Sequence, residues 1–189
     1  MDILIFLGII IFIVVLSVLY SAYVNVIKAR NSLLEAKSSI DVQFQKRYNV
    51  IPNILTIAAK FMEHEKEIFT KITELRTQAM NAPQGSNQAL ALNAELDSML
   101  KQFKISMENY PVLKSDATMV QAMQTYNEIE EHISAARRFY NAALTQLNNC
   151  VMIFPSSIFR NYAHDVLDSK YYEADEEAKV RINAKDYLK

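Results

Sequence analysis

With 189 residues, 20 Lys plus Arg against 21 Asp plus Glu and a formal net charge of −1, the chain exerts no overall pull on nucleic acid, and no nucleic-acid partner is expected. Two glycines and four prolines leave little material for sheet turns or phosphate-cradling loops, which points to an all-α chain. The single cysteine, Cys150, excludes an internal disulfide and a multi-cysteine metal site.

From Ile3 to Ile27 there is no charged residue, and Ile3 to Leu19 is almost entirely Ile, Leu, Val and Phe. A helix over this run rises about 37 Å, enough to cross a hydrocarbon core about 30 Å thick with some tilt. A cleaved secretory signal fits poorly: Met1 and Asp2 supply no basic start, the apolar run is long, and no Ala-x-Ala follows it. Residues 1–27 therefore read as a transmembrane anchor in contact with the lipid bilayer. Lys28, Arg30 and Lys37 follow the span, and basic flanks are retained on the cytoplasmic side, so the amino terminus is expected outside and the remainder in the cytoplasm.

The rest of the chain is punctuated by proline. Pro52 suits the first turn of a helix, Asn81 to Asn87 is the one stretch of loop composition, and Pro111 and Pro155 push the residues before them out of helical geometry. Helices are predicted at about 26–48, 53–80, 88–110 and 117–152. In the last, Met119, Tyr126, Ile133, Tyr140 and Leu147 interleave with Ala122, Ile129, Ala136, Ala143 and Cys150, and none of the ten is charged. The third predicts a seam of Ala89, Leu92, Leu96, Met99, Phe103 and Tyr110; the second carries Glu65 inside its apolar series. Short connections between long helices favour antiparallel neighbours, so the expected architecture is an antiparallel up-and-down four-helix bundle over 28–163 after the anchor. Residues 164–189 read as a polar tail that packs loosely.

No catalytic motif is present: no Gly-x-Ser-x-Gly, no phosphate loop, no His-Glu-x-x-His. Phe61, Ile129 and Asn161 stand three residues before His64, His132 and His164, where a di-iron bundle needs Glu. No cofactor is expected. On the predicted register Glu65 and Glu130 each lie about thirteen residues into their helices, within reach of Lys37, with Arg137 two turns beyond Glu130 on the same face. Carboxylates in a core need a cation or polar neighbour, so Glu65, Glu130, Arg137 and Lys37 are predicted to form a structural polar cluster that sets helix register. A divalent-cation site or a proton-coupled switch on Glu65 and Glu130 is the alternative.

Several separated motifs resemble the LemA family of bacterial membrane proteins. They are Asp41 to Ile54, with its basic-then-Ile-Pro-Asn turn, His64-Glu65, the Tyr110-Pro111-Val112-Leu113-Lys114 corner, and Glu130, Ile133, Ala136 to Asn141, Asn148 and Phe154-Pro155-Ser156. The chain departs from that pattern at Lys37 (commonly Trp), Asn49 (Asp), Met119, Ala122 and Tyr126 (Phe and Leu), Ser157 (Asn), and in a closing segment without proline. The resemblance implies a small membrane-anchored helical bundle with no established enzymatic activity and no catalytic residues to transfer. The functional expectation is a non-enzymatic scaffold or interaction module at the bacterial inner membrane, binding a protein partner and open to self-association. A carboxylate-based metal bundle and a membrane signalling relay are the alternatives.

Overall fold

The computed structural model describes residues 2–83 and 85–172. The helices are α1 (Asp2–Ala58), α2 (Lys66–Asn81), α3 (Asn87–Met107), α4 (Pro111–Ser115) and α5 (Ala117–Met152), followed by a 3-10 helix, Ser156–Val166. No strand occurs among the described residues. The chain divides into two compact units, one formed by residues up to Leu33 and from Tyr140 onward, the other by Leu34–Phe139.

In the 34–139 unit, α1, α2, α3 and α5 alternate in direction. Arg76 of α2 reaches Tyr48 of α1, and the Lys37 side chain lies against Gly85 beyond the end of α2. Arg47 of α1 meets Asn93 of α3, while Asp97 of α3 meets Arg137 of α5. Gly85 has φ +64, a left-handed conformation that favours glycine, while a Cβ there would meet only the flexible end of the Lys37 side chain. Ser86 accepts from the Ala89 amide to cap α3, and Asp116 caps α5 through Met119. Of the ten seam positions predicted in α5, nine are buried and Cys150 is half-buried.

Two sequence expectations are corrected here. Pro52 does not start a helix; it lies inside α1, and the break falls at 59–65 instead. A proline cannot bond the carbonyl four residues back, which leaves the Tyr48 oxygen without its helical donor. The Arg76 Nε donates to that oxygen at 2.6 Å, so the helix continues. The α3 seam is also displaced: the buried series is Ala89, Asn93, Leu96, Leu100, Phe103, Met107, while Leu92 and Met99 are only half-buried. The core accepts a polar residue at Asn93 because a polar partner faces it.

In the other unit, Ala22, Val26, Ala29 and Leu33 of α1 are buried, as are Tyr140, Ala143, Leu144, Leu147 and Val151 of α5 and Ala163 and Val166 of the 3-10 helix. Arg30 clamps Asp165 with two bonds of 2.9 and 2.6 Å. Tyr23 meets Phe159 and Tyr162 edge-on. Asn141 exchanges two hydrogen bonds with the Tyr172 backbone, and the Tyr171 hydroxyl meets Thr145 and Asn148. The first residues of the predicted loose tail, 164–172, are thus docked; its remainder, with the acidic run after Tyr172, lies outside the described residues. Residues 3–18 of α1 are exposed throughout, and the helix holds an 18-residue window of mean hydropathy 3.2 with none of it buried. This helix is long and apolar enough to cross a membrane.

Candidate functional site

The heptad of α1 that buries Ala36, Ile40, Ile51 and Ile54 brings Arg47 into the core in phase with them, 0% exposed and the bulkiest fully buried side chain. A guanidinium without water needs acceptors on several sides. The Nη2 donates to Asn93 Oδ1 at 2.5 Å, and Nη1 donates to Asp97 and, at 3.4 Å, to Glu130 Oε1. The Arg47 Nε is buried with no acceptor. The rings of Phe44 and Tyr48, stacked on each other with centroids 6.4 Å apart, lie 5.0 and 5.9 Å from the guanidinium carbon.

A second layer orients the first. Asn93 is held by its own amide donating to the Ala89 carbonyl at 2.8 Å, and its Oδ1 also accepts from the Tyr48 hydroxyl. The other Asp97 oxygen accepts from Arg137 Nη2 at 3.1 Å, and the Arg137 guanidinium also lies over the Phe44 ring, 5.6 Å from its centroid. Two guanidiniums thus face two carboxylates, and side-chain exposures of 26% and 31% at Asp97 and Glu130 leave one side of the cluster wet. Burial would lower the Arg47 pKa, but the charges of Asp97 and Glu130 outweigh it and the net shift is upward. Arg47 stays charged in the core.

Tyr126 closes the cluster from α5. Burial first, then the Glu130 charge, pushes its hydroxyl far above the usual range near 10. A folded-state pKa above the unfolded one stabilises fully below about pH 10 and is lost as pH rises past it, because the unfolded chain releases that proton first. Tyr126→Phe is therefore expected to cost about 1 kcal/mol at neutral pH through the lost hydrogen bond to Glu130, yet to flatten the decline of melting temperature above about pH 10. Parallel thermal scans of the two proteins check this; equal alkaline slopes would remove Tyr126 as the titrating group.

Of the four residues predicted to cluster, the structure brings together Glu130 and Arg137. Glu65 stands at the N-cap of α2, where its Oε1 lies 3.5 Å from the Tyr110 hydroxyl. Because the break falls at 59–65 rather than at Pro52, Glu65 begins its helix instead of lying thirteen residues into it. Glu130 remains thirteen residues into α5, about 20 Å along the axis from that helix's start. Lys37 lies against Gly85, one turn before Asp41, whose carboxyl pKa burial raises and Lys37 lowers. Ten residues, about 15 Å of helix, separate Lys37 from Arg47. The family motif Asp41 to Ile54 includes Arg47, the centre of the site, but the predicted cluster left it out, and sequence reasoning missed its partners Asn93 and Asp97. The available signal was phase: Arg47 and Asn93 each fall on the apolar seam of their own helix.

Chemically the arrangement locks α1, α3 and α5 in register. Both Asp97 oxygens and one of Glu130 are engaged by guanidinium, and the Lys104 ammonium lies over the Tyr126 ring, 4.6 Å from its centroid. Among the described residues, no three His, Cys, Asp or Glu side chains gather where a metal ion would be held.

The chain matches the family model described as LemA family over residues 36–185, which includes α1 from its middle onward and every later helix. It is also similar to Protein LemA of Metamycoplasma hominis, 23% identical over 185 residues, covering 96% of this chain and 84% of that protein. The match spans the Arg47 cluster and its three contributing helices, and the chain belongs to the LemA family.

Proposed function

We propose that this protein is a non-enzymatic, membrane-anchored helical module that holds a protein partner at the inner membrane of a bacterium. The observation that carries the reading is the exposed apolar stretch 3–18 in an otherwise amphipathic helical chain. A surface of that length and hydropathy is stable in hydrocarbon and unstable in water. Lys28 and Arg30 beyond it favour an outward amino terminus and a cytoplasmic remainder. The role of holder rather than catalyst draws on the Arg47 cluster, whose charges are spent on one another.

The test uses the full chain in bacterial cells, tagged at the carboxyl terminus. After carbonate washing the protein is expected in the membrane pellet, and protease added to intact spheroplasts is expected to leave the tag uncut. Release into the supernatant would end the anchoring reading, and tag cleavage would reverse the orientation. Proximity labelling from the same tag is expected to mark a reproducible protein neighbour that is lost when residues 2–20 are deleted; labelling unaltered by that deletion would count against holding at the membrane.

A signalling relay is the second reading, favoured by the unbroken run of α1 from Asp2 to Ala58. Cysteine pairs along 22–33 and 140–151 cross-linking in two helix registers would support it, and a single register would dismiss it.

A further inference from the structure

Large exposed apolar side chains are scattered singly over residues 34–139, as folded surfaces normally show. The corner between α5 and the 3-10 helix is different. Within eleven residues it exposes Met152 at 75%, Ile153 at 62%, Phe154 at 77%, Ile158 at 59% and Tyr162 at 55%. Such a concentration marks a surface that is covered by something other than water.

Its place in the unit says by what. The 3-10 helix climbs alongside α1: Phe159 and Tyr162 meet Tyr23, and Asp165 meets Arg30. Seven residues of α1 rise about 10 Å, and the three to six intervening residues of the 3-10 helix, at about 2 Å each, rise a similar amount. α5 runs the other way, since Asn148 and then Asn141 meet Tyr171 and Tyr172, further along the climbing segment. Met152 to Ile158 is therefore the closed end of a hairpin, displaced from Tyr23 toward Tyr20 and the exposed apolar stretch of α1. Tyr20, also exposed, and Tyr162 are amphipathic rings of the kind that settle at headgroup level. Lys28 and Arg160 are exposed in the same unit, while the Asp165 carboxylate is engaged by Arg30.

We propose that the α5 corner, Met152 to Phe154 with Ile158 and Tyr162, is seated in the interfacial layer of the bilayer that the apolar stretch of α1 enters. The unit then grips one membrane at two points, and Lys28 and Arg160 face anionic headgroups. This rests on the anchoring reading above. An interfacial element of this type sinks its apolar side chains about 5–10 Å into the headgroup and acyl boundary without spanning.

The experiment uses the full chain with Cys150→Ser, reconstituted in vesicles of phosphatidylcholine with a minor share of phosphatidylglycerol. A polarity-sensitive fluorophore is placed at Phe154→Cys or, independently, Ile153→Cys; both positions are exposed, so neither replacement removes core packing. Labels at Ile11→Cys, in the apolar stretch, and at exposed Lys170→Cys are the lipid and water references. Lipid carrying a nitroxide near the headgroup is expected to quench the 153 and 154 labels roughly twofold, at the depth expected of an interfacial element, while aqueous iodide quenches only the 170 label. Iodide quenching at 153 and 154 equal to that at 170, with the Ile11 label still quenched by mid-chain nitroxide, would overturn the corner and leave the anchor standing. Shielding of 153 and 154 from both quenchers would assign the corner to a protein contact, a second copy of this chain, and overturn the proposal. An Ile11 label untouched by lipid nitroxide would overturn the anchor and the corner together.

Discussion

Replacing Arg47 with leucine is expected to destabilise the fold by about 3 kcal/mol, the lower end of the range for breaking a buried ion pair. The lower end applies because Asp97 and Glu130 are partly exposed and regain water when the guanidinium is gone. The loss concentrates on buried Asn93, whose oxygen accepts from both Arg47 and Tyr48. For a chain of this size that cost corresponds to a fall in melting temperature of roughly 6–12 °C. Arg47→Lys is expected to restore little, since an ammonium cannot reach Asn93, Asp97 and Glu130 from one planar fork. Adding Asn93→Leu to Arg47→Leu is expected to recover at least about 1 kcal/mol, because removing both buried partners leaves no orphan between them. Thermal unfolding of the detergent-solubilised chain reads all three variants. An Arg47→Leu melting temperature within about 2 °C of the parent would show that the cluster does not hold the helices together.

Arg76→Met is expected to cost about 1–3 kcal/mol by leaving the Tyr48 carbonyl without a donor inside the packed face of α1. Its dependence on Pro52 is the more telling result. With Pro52→Ala the backbone amide at 52 returns and bonds the same carbonyl in the ordinary helical pattern. In that background Arg76→Met is expected to cost at least about 1 kcal/mol less, a coupling that a double-mutant cycle isolates. Additive costs would mean that Arg76 stabilises α2 by some other contact and that the proline is tolerated for a different reason.

The two sites differ in how far the amino-acid sequence reveals them. The α5 seam is readable because it repeats over five heptads with no charge, and a period sustained that long arises from a helical face turned into a core. The 82–86 turn and the Pro111 corner are readable because glycine and proline act on the backbone of their own neighbourhood. The third seam is misplaced by its own polar residue: Asn93 looks like a surface position and sends the pattern to Leu92 and Met99, one residue off the buried face. Glu65 falls at the depth of Glu130 only if its helix starts at Pro52, and moving the break to 59–65 changes its register by thirteen residues. Glu130 and Arg137 are found together because the bounds of their helix are legible at both ends.

The amino-acid sequence by itself determined that the chain is helical, where its one long exposed apolar surface lies, and which stripe of α5 turns inward. These follow from local quantities: hydropathy, the 3.6-residue period, and the dihedral limits of glycine and proline. Only the tertiary structure decided that a helix runs through Pro52, that an arginine occupies the core and that the segment up to Tyr172 is docked. Each of those depends on a partner supplied from far along the chain: Arg76 twenty-eight residues from Tyr48, Glu130 eighty-three from Arg47, and Asn141 thirty-one from Tyr172. A buried polar group is stable only when its partner arrives, and the arrival is a property of the packed fold rather than of the neighbouring residues.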